Sequence, residues 1–536
     1  VTVADDLLRP EAYGALHPRV IELVETHVSQ VVLLEADVFK RKKPVNLGFL
    51  DFTTLERREA ACRAEVELNA RLAPGIYLGV VAVRADASGR AFVDVDGRGE
   101  ARGAPILDYV VHMRRLPDER RADVLLARRE LSAAHVDALA SRLARFHEEA
   151  PGGPEALVHG RVEAILRNVE ENFAQTRERM AQYLPEDQSR EIREWQSRFL
   201  EEHAALFQAR IDAGRVRDGH GDLRLEHVYF ETEGLAPTII DCIEFSERFR
   251  FADVCADVAF LSMDLEAHGR VDLAERFLAR YARDSDDYGL YALVDFYEGY
   301  RAFVRAKVAM ILAADASIEA RVREKAAAEA RRHLLLALSE GRRSVLPPSV
   351  VAVGGIIASG KSTLAQALAA EMGAPAIEAD RTRKSMLGVA PEQPVHEAAW
   401  SGAYDPAFTE AVYAEVLRRA DVVVGSGRPV VIDASFRSPA MREAARRIAI
   451  ARGVPFFFVE CRTDPEVCRA RLASRERTGG VSDGRLAIFD AFRARFEAVS
   501  ELAASEHLVV DTARPLAETL AFLRKRLPTW PAGLST

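Results

Sequence analysis

Cysteine is scarce in this chain. Five occur in 536 residues, none in a Cys-x-x-Cys pair, and the number is odd. That pattern makes neither a disulfide framework nor a zinc site, and the expectation is reduced thiols in a cytoplasmic protein. No apolar run reaches the roughly 18 residues a membrane span needs. Residues 1–13 contain Asp5, Asp6 and Glu11 but no basic stretch and no apolar core, so no signal peptide is expected there. There is no internal repeat and no long block of one charge sign. An excess of basic residues is also missing, because the net charge is −9. Such a chain carries no global footprint for nucleic acid or an anionic membrane, although a local basic groove is compatible with it. What remains is ordinary globular composition, 49% hydrophobic and 29% charged. The length sets a prior of roughly two to four domains.

The clearest seam lies near residues 341–349. Ser317 to Glu340 is rich in Ala, Arg, Glu and Leu, which favours a long helix. Gly341 is a plausible stop, and Pro347 and Pro348 cannot continue a helix. The expected division is therefore 1–345 and 350–536. In the first segment, strands are expected at Val31–Glu35, Val38–Lys42, Ile76–Arg84, Ala91–Val95 and Ile106–Arg114. A helix capped by Thr53 and Glu56 is expected to run to about Leu72. From Leu131 onward helix dominates. This describes a small sheet-rich lobe, about 1–116, joined to a helical lobe, about 117–345. The second segment alternates strands (350–353, 375–379, 429–432, 455–460, 507–510) with helices. That alternation predicts a parallel sheet covered by helices.

Gly355-Ile356-Ile357-Ala358-Ser359-Gly360-Lys361-Ser362 satisfies G-x-x-x-x-G-K-[ST], with an apolar strand before it and a helical run, Leu364–Met372, after it. The glycines let successive N–H groups turn toward phosphates. The helix adds its positive end, where Thr363 lies in the first turn. Lys361 supplies charge to the β- and γ-phosphates, and Ser362 offers a hydroxyl to Mg²⁺. Val430-Val431-Ile432 leads to Asp433, placed to orient Mg²⁺ or assist the acceptor. Ala434 and Ser435 follow, where a mechanical ATPase carries Glu, so the pattern favours a kinase. Asp380 can take a hydroxyl proton, and Arg383, one helical turn on, can hold an anionic group. Asp380 can equally be the N-cap of a helix starting at Arg381. Arg469, Arg471, Arg475 and Arg477 follow the fourth strand and fit either a phosphate-binding lid or a solvated helix face.

Segment 350–536 resembles the P-loop kinases of small acceptors and nucleic-acid ends: gluconate kinase, zeta-toxin and polynucleotide 5′-kinase relatives. The resemblance implies Asp380 as base and Arg383 as substrate or transition-state ligand. It also implies a lid at Arg471-Leu472-Ala473-Ser474-Arg475, with Arg471 and Arg475 on the phosphates.

In the first segment, His220-Gly221-Asp222 and Thr238-Ile239-Ile240-Asp241 present two carboxylates 19 residues apart from a strand-loop-strand. Kinase-like transfer needs one carboxylate for the acceptor proton and one for Mg²⁺. This stretch resembles the aminoglycoside phosphotransferase family, which has a protein-kinase-like two-lobe fold. The H-G-D-x-x-x-x-N loop is matched by His220, Gly221 and Asp222, and the family's metal Asp by Asp241. Leu143-Ala144-Arg145-Phe146-His147 looks like the helix ahead of the loop. Lys40 takes the place of the ATP lysine, with Lys42 as a rival on the same strand face. Glu65 is its candidate ion-pair partner, with Glu67 as a rival. His227 stands where the family has a metal-binding Asn. Imidazole suits softer metals than Mg²⁺, so His227 is read as a direct ligand, a ligand through water, or the mark of a weakened site. Glu244 is a further candidate at the metal. Asp253 and Asp257 are read as structural residues on a helix.

The whole chain resembles bacterial fusions of an aminoglycoside phosphotransferase module to a P-loop kinase. The expectation is an ATP- and Mg²⁺-dependent phosphotransferase acting on a small-molecule hydroxyl, with no membrane partner. One alternative is an active P-loop kinase regulated by a catalytically weakened kinase-like sensor. A second is a nucleic-acid 5′-end kinase, against which the acidic balance weighs.

Overall fold

A computed structural model describes residues 2–26, 28–46, 50–101, 103–231, 234–316, 318–339, 346–395, 397, 400–478 and 484–530. Gly341 lies outside them. The chain divides into two compact units. One combines Val1–Asp264 with Phe303–Arg331; the other combines Leu265–Ala302 with Arg332–Thr536.

The first unit opens with a six-stranded antiparallel sheet: β1 (Glu22–Glu25), β2 (Ser29–Leu33), β3 (Asp37–Lys42), β4 (Tyr77–Ala85), β5 (Ala91–Val93) and β6 (Ile106–Arg114). Its order is β1-β2-β3-β6-β4-β5. Side chains of a strand alternate between faces. Val38 of β3 therefore joins Cys62 of α1 (Leu55–Ala70), Val111 and Met113 in one core. Phe39 turns to the opposite core, with Tyr13, Val32 and Val83. The same alternation sends Lys40 and Lys42 to the face covered by α1. That helix is capped by Thr54, whose hydroxyl accepts from Arg57 N–H at 3.3 Å, one residue later than the expected Thr53. Thr53 instead donates to Asp51 at 2.6 Å.

In the helical part, β7 (Val216–Asp218) pairs antiparallel with β10 (Phe251–Asp253), and β8 (Val228–Tyr229) with β9 (Thr238–Ile239). The His220 loop joins β7 to β8, and Asp241 follows β9, so the two short ladders bring both carboxylates to one edge. Helix α2 (Ala133–Glu149) carries the 143–147 motif, and its His147 lies 3.4 Å from Asp257 of α3 (Val254–Ala267). Asp253 ends a strand rather than sitting on the helix. Buried there, it pairs with Arg210 at 2.8 and 2.6 Å.

The second unit holds a five-stranded parallel sheet: β11 (Val350–Gly354), β12 (Ala376–Glu378), β13 (Val430–Asp433), β14 (Phe456–Arg462) and β15 (His507–Asp511). The order is β12-β13-β11-β14-β15. Each lies within a residue or two of its expected place. Leu265–Ala302, expected in the first domain, belongs to this unit for an electrostatic reason. Arg428 is buried and donates to Glu275 of α4 (Val271–Asp284) at 2.9 Å and to Asp295 at 2.8 Å. Arg283 pairs with Glu378 at 2.9 Å, and the Tyr288 hydroxyl donates to Ala376 O at 2.9 Å.

Candidate functional site

The P-loop leaves β11 and enters α5 (Lys361–Met372). Gly355 and Gly360 have φ of 142° and 85°, and Ala358 is left-handed at 59°. A side chain at Gly355 would meet Cys461 O at 2.5 Å, so only glycine fits that turn. Ile356 and Ile357 pack against Ala358, Cys468, Leu472 and Phe489 and anchor the loop. Lys361 Nζ donates to Ile356 O at 2.9 Å, folding its charge over the loop. The Ser359 hydroxyl is buried without a hydrogen-bond partner. Thr363 is exposed and lies outside the cavity lining.

A cavity of about 300 Å³ opens at the loop, at the carboxyl ends of β11, β12 and β13. This is the crevice where parallel α/β sheets take ligands. Lys361, Ser362, Asp380, Arg383 and Asp433 all line it. Burial pushes the Asp433 carboxyl up to about 7, against the pull of Lys361 and a hydrogen bond with Ser362. Helix α6 (Ala379–Met386) begins one residue after Glu378, so Asp380 lies inside its first turn and is not the N-cap. Freed from capping, Asp380 faces the cavity, with Arg383 one turn on. Sequence reasoning missed Glu378, Tyr404, Tyr413, Ser435 and Arg437 in the same lining. Glu378 is buried and ends β12 two residues before Asp380, a signal that was available.

Arg471 is not in this lining. It sits on α7 (Pro465–Thr478) and bonds Ala358 O at 3.3 Å and Thr512 O at 2.7 Å, bracing the P-loop from another side. The side chains of Arg475 and Arg477 lie outside the described residues. Arg469 pairs with Glu466 and Asp490, each at 2.6 Å, as a solvated helix face would.

The first unit builds its site from ion pairs. Glu65 is fully buried and receives Lys40 at 2.8 Å on one oxygen and Lys42 at 2.5 Å on the other, so the two lysines share it. Lys40 also reaches Asp241 at 2.6 Å, and Lys42 pairs with Glu244. Glu67 is exposed and takes no part. Burial disfavours every charge here, yet Lys40 and Lys42 hold the Glu65 carboxyl below its usual range, and the carboxylates hold both lysines above theirs. Glu244, beside Glu65, is pushed up by burial. Partial burial would raise Asp241, but Lys40 and His227 override it and hold it well below the carboxylate range. Asp241 has φ 67°, and its N–H donates to the Tyr77 hydroxyl at 3.2 Å.

Asp257 holds the His220 loop. Its carboxylate accepts His220 N–H at 2.5 Å and Gly221 N–H at 2.9 Å. His220 Nε2 donates to Ile240 O at 2.9 Å, which ties the two carboxylate-bearing segments together. Asp222 is gripped by Arg224 through two bonds, 3.1 and 3.0 Å. Arg224, two residues on, was missed from sequence. Burial would raise Asp222; Arg224 first and then His227 hold it well below the carboxylate range.

His227 is buried, which lowers its pKa to about 4 and keeps the ring neutral. Its Nδ1 lies 2.8 Å from Asp222 O, a carbonyl that only accepts. Nδ1 therefore carries the proton, and Nε2 presents its lone pair. That lone pair lies 3.2 Å from Arg224 Nη2 and 3.6 Å from Asp241 Oδ2. Among the described residues no three His, Cys, Asp or Glu side chains converge as a ready metal cage. Asp241 offers the oxygen that Mg²⁺ prefers, whereas the His227 lone pair already faces an Arg224 N–H.

Both sites belong to phosphotransferase-type chemistry, and the comparisons agree. Residues 48–297 match the family described as phosphotransferase enzyme family, and residues 350–499 match AAA domain. The protein is a phosphotransferase with a kinase-like domain followed by a P-loop domain. Uncharacterized proteins of Mycobacterium tuberculosis and Mycobacterium bovis are 37% identical over 478 residues, covering 89% of this chain and 90% of theirs. The chain belongs to the same family as these mycobacterial proteins. Among solved structures, a sugar kinase from Janibacter is similar at 20% identity, covering 35% of this chain and 99% of its own, with a TM-score of 0.28. A choline/ethanolamine kinase family protein from Mesorhizobium loti is similar at 14% identity, covering 63% and 99%, with a TM-score of 0.36. Among the described residues no helix is long and apolar enough to cross a membrane.

Proposed function

We propose that the P-loop domain transfers the γ-phosphoryl group of Mg-ATP to a hydroxyl of a small molecule in the cytoplasm. The observation that carries this reading is the single cavity that gathers Lys361, Ser362 and Asp433 with Asp380 and Arg383. The loop amides and Lys361 hold the phosphates; Ser362 and Asp433 would hold Mg²⁺, which when bound neutralises charge on the phosphate oxygens. The acceptor oxygen forms a bond to the γ-phosphorus as the bond to the β-phosphate oxygen breaks. ADP departs, and the hydroxyl proton passes to the Asp380 carboxylate. No acid stands at Ala434 or Ser435 to activate water, which favours transfer over hydrolysis. The test is Asp380→Asn in the full chain, with a metabolite pool, ATP and mass-spectrometric detection. Phosphorylated product should fall while affinity for a non-hydrolysable ATP analogue holds. Equal loss of both would make Asp380 structural.

We infer that the first unit also binds Mg-nucleotide, with Lys40 on the phosphates and Asp241 with His227 toward the metal. Asp222 then orients an acceptor hydroxyl, a role that needs little basicity because phosphoryl transfer relies mainly on positioning. One observation favours a second reading, in which this unit senses nucleotide and regulates the other: Arg224 occupies both oxygens of Asp222. Asp222→Asn separates the two. A catalytic unit loses one phosphorylated product, whereas a sensor keeps them all.

A further inference from the structure

Most buried arginines in this protein face carboxylates, as Arg210, Arg419 and Arg428 do. Arg383 and the half-buried Arg437, which line the P-loop cavity, do not, and neither does the exposed Arg495 beside Trp400. Arg383 is buried, donates to Ala403 O and lies 4.8 Å from the Tyr404 ring centre; its Nε has no hydrogen-bond partner. Arg437 lies 4.6 Å from the Trp400 ring and 6.0 Å from Phe492. Arg495 is exposed and lies 3.9 Å from Trp400. Trp400 stacks on Phe492 at 4.5 Å. Among the described residues, no carboxylate pairs with any of the three.

Gathering like charges without an acid is unfavourable. Arg437 shows it: burial lowers its pKa, and Arg495 and Arg383 lower it further against Tyr413. The backbone around the cluster is also held in a rare conformation, with Trp400 at φ 66° and Phe436 at φ 47°. Strain of this kind persists where surrounding structure enforces it and collects at ligand sites. The triphosphate end of the cavity has its own cation, Lys361, and the loop amides. The arginines instead accompany Tyr404, Phe492 and Ile488, which have no part in holding phosphates.

We propose that Arg383, Arg437 and Arg495 recognise the acceptor by an anionic group, carboxylate or phosphate, separate from the hydroxyl that is phosphorylated. This rests on reading the cavity as a kinase site. The anion offsets the repulsion among the guanidiniums, which offer forked N–H pairs suited to either group. The aromatic shelf flanks the acceptor's carbon frame.

The test uses the full chain saturated with Mg²⁺ and a non-hydrolysable ATP analogue, titrated calorimetrically at constant ionic strength. Separate arms use inorganic phosphate, malonate and glycerol. One of the two anions should bind saturably and glycerol should not; the better anion identifies the acceptor's group. Arg437→Gln should weaken that binding at least tenfold, and Arg495→Gln, an exposed change, should weaken it severalfold. Analogue affinity in each variant reports the fold and the nucleotide site independently. A loaded chain that binds neither anion overturns the proposal, as does unchanged anion binding in both variants. A wild-type chain that binds no analogue overturns the kinase reading itself, a distinct outcome.

Discussion

The two candidate sites solve the problem of charge in opposite ways. In the first unit nearly every charge already has a partner: Lys40 with Asp241 and Glu65, Lys42 with Glu65 and Glu244, Asp222 with Arg224. In the second unit ion pairs surround Arg428, Arg283 and Arg419 where α4 and its neighbours meet the sheet, and others, such as Arg442 with Glu501 and Arg524 with Glu371, lie elsewhere. The cavity keeps Lys361 on a carbonyl of its own loop and is lined by Arg383 and Arg437, neither of which meets an acid among the described residues. A site satisfied by its own ions must exchange them to admit a ligand, so its affinity is reduced by the pairs it breaks. A site built from backbone amides and unpaired cations is ready for phosphate. The second unit should therefore bind Mg-nucleotide more tightly than the first.

This contrast can be broken in stages. The largest effect falls on the paired ions of the second unit. Arg428→Met leaves Glu275, Asp295 and Glu298 without their cation and should destabilise that unit by about 3–5 kcal/mol, the usual cost of breaking a buried pair from one side. Urea unfolding followed separately in the two units would register it. Next comes Lys361→Ala, which should lower phosphoryl transfer by this domain by about 10²–10³, the loss expected when one preorganised donor to developing charge is removed. Steady-state ATP turnover with the identified acceptor checks it. Asp257→Ala removes the acceptor of two buried N–H groups and should cost about 1–3 kcal/mol. Hydrogen exchange should show the loss at His220 and Gly221 first. Smallest is Arg469→Ala, expected to change stability by no more than about 0.5 kcal/mol and to leave nucleotide affinity unchanged. Arg471→Ala should lower that affinity, because it releases Ala358 O and Thr512 O.

Much of this was legible from local pattern. The P-loop was readable because its spacing is set by a tight turn that only glycine permits. The five parallel strands were readable because buried strands are continuous apolar runs. Lys40 and Lys42 could be placed on one face by alternation alone, but not ranked, and the structure shows why: Glu65 gives an oxygen to each. Partners across long sequence distances were not legible. Arg428 meets Glu275 from 153 residues away, and nothing in either neighbourhood announces it. β1 was missed because all four of its residues are exposed, so it lacks the alternation that marks a half-buried strand. Arg437 was missed because it follows Asp433 in a loop, where no periodicity says which way a side chain points. The cap of α1 was misplaced by one residue because Thr53 and Thr54 are both good caps, and Asp51 captures the first.

On the proposed reading each unit holds one Mg-nucleotide, the P-loop site more tightly. Calorimetric titration of the full chain with a non-hydrolysable ATP analogue and Mg²⁺ measures it directly. Two equivalents per chain are expected. Lys361→Ala should remove the tighter one, Asp241→Ala the weaker, and the double variant both. A single equivalent in the wild type, or two full-affinity equivalents surviving in Lys361→Ala, would contradict it.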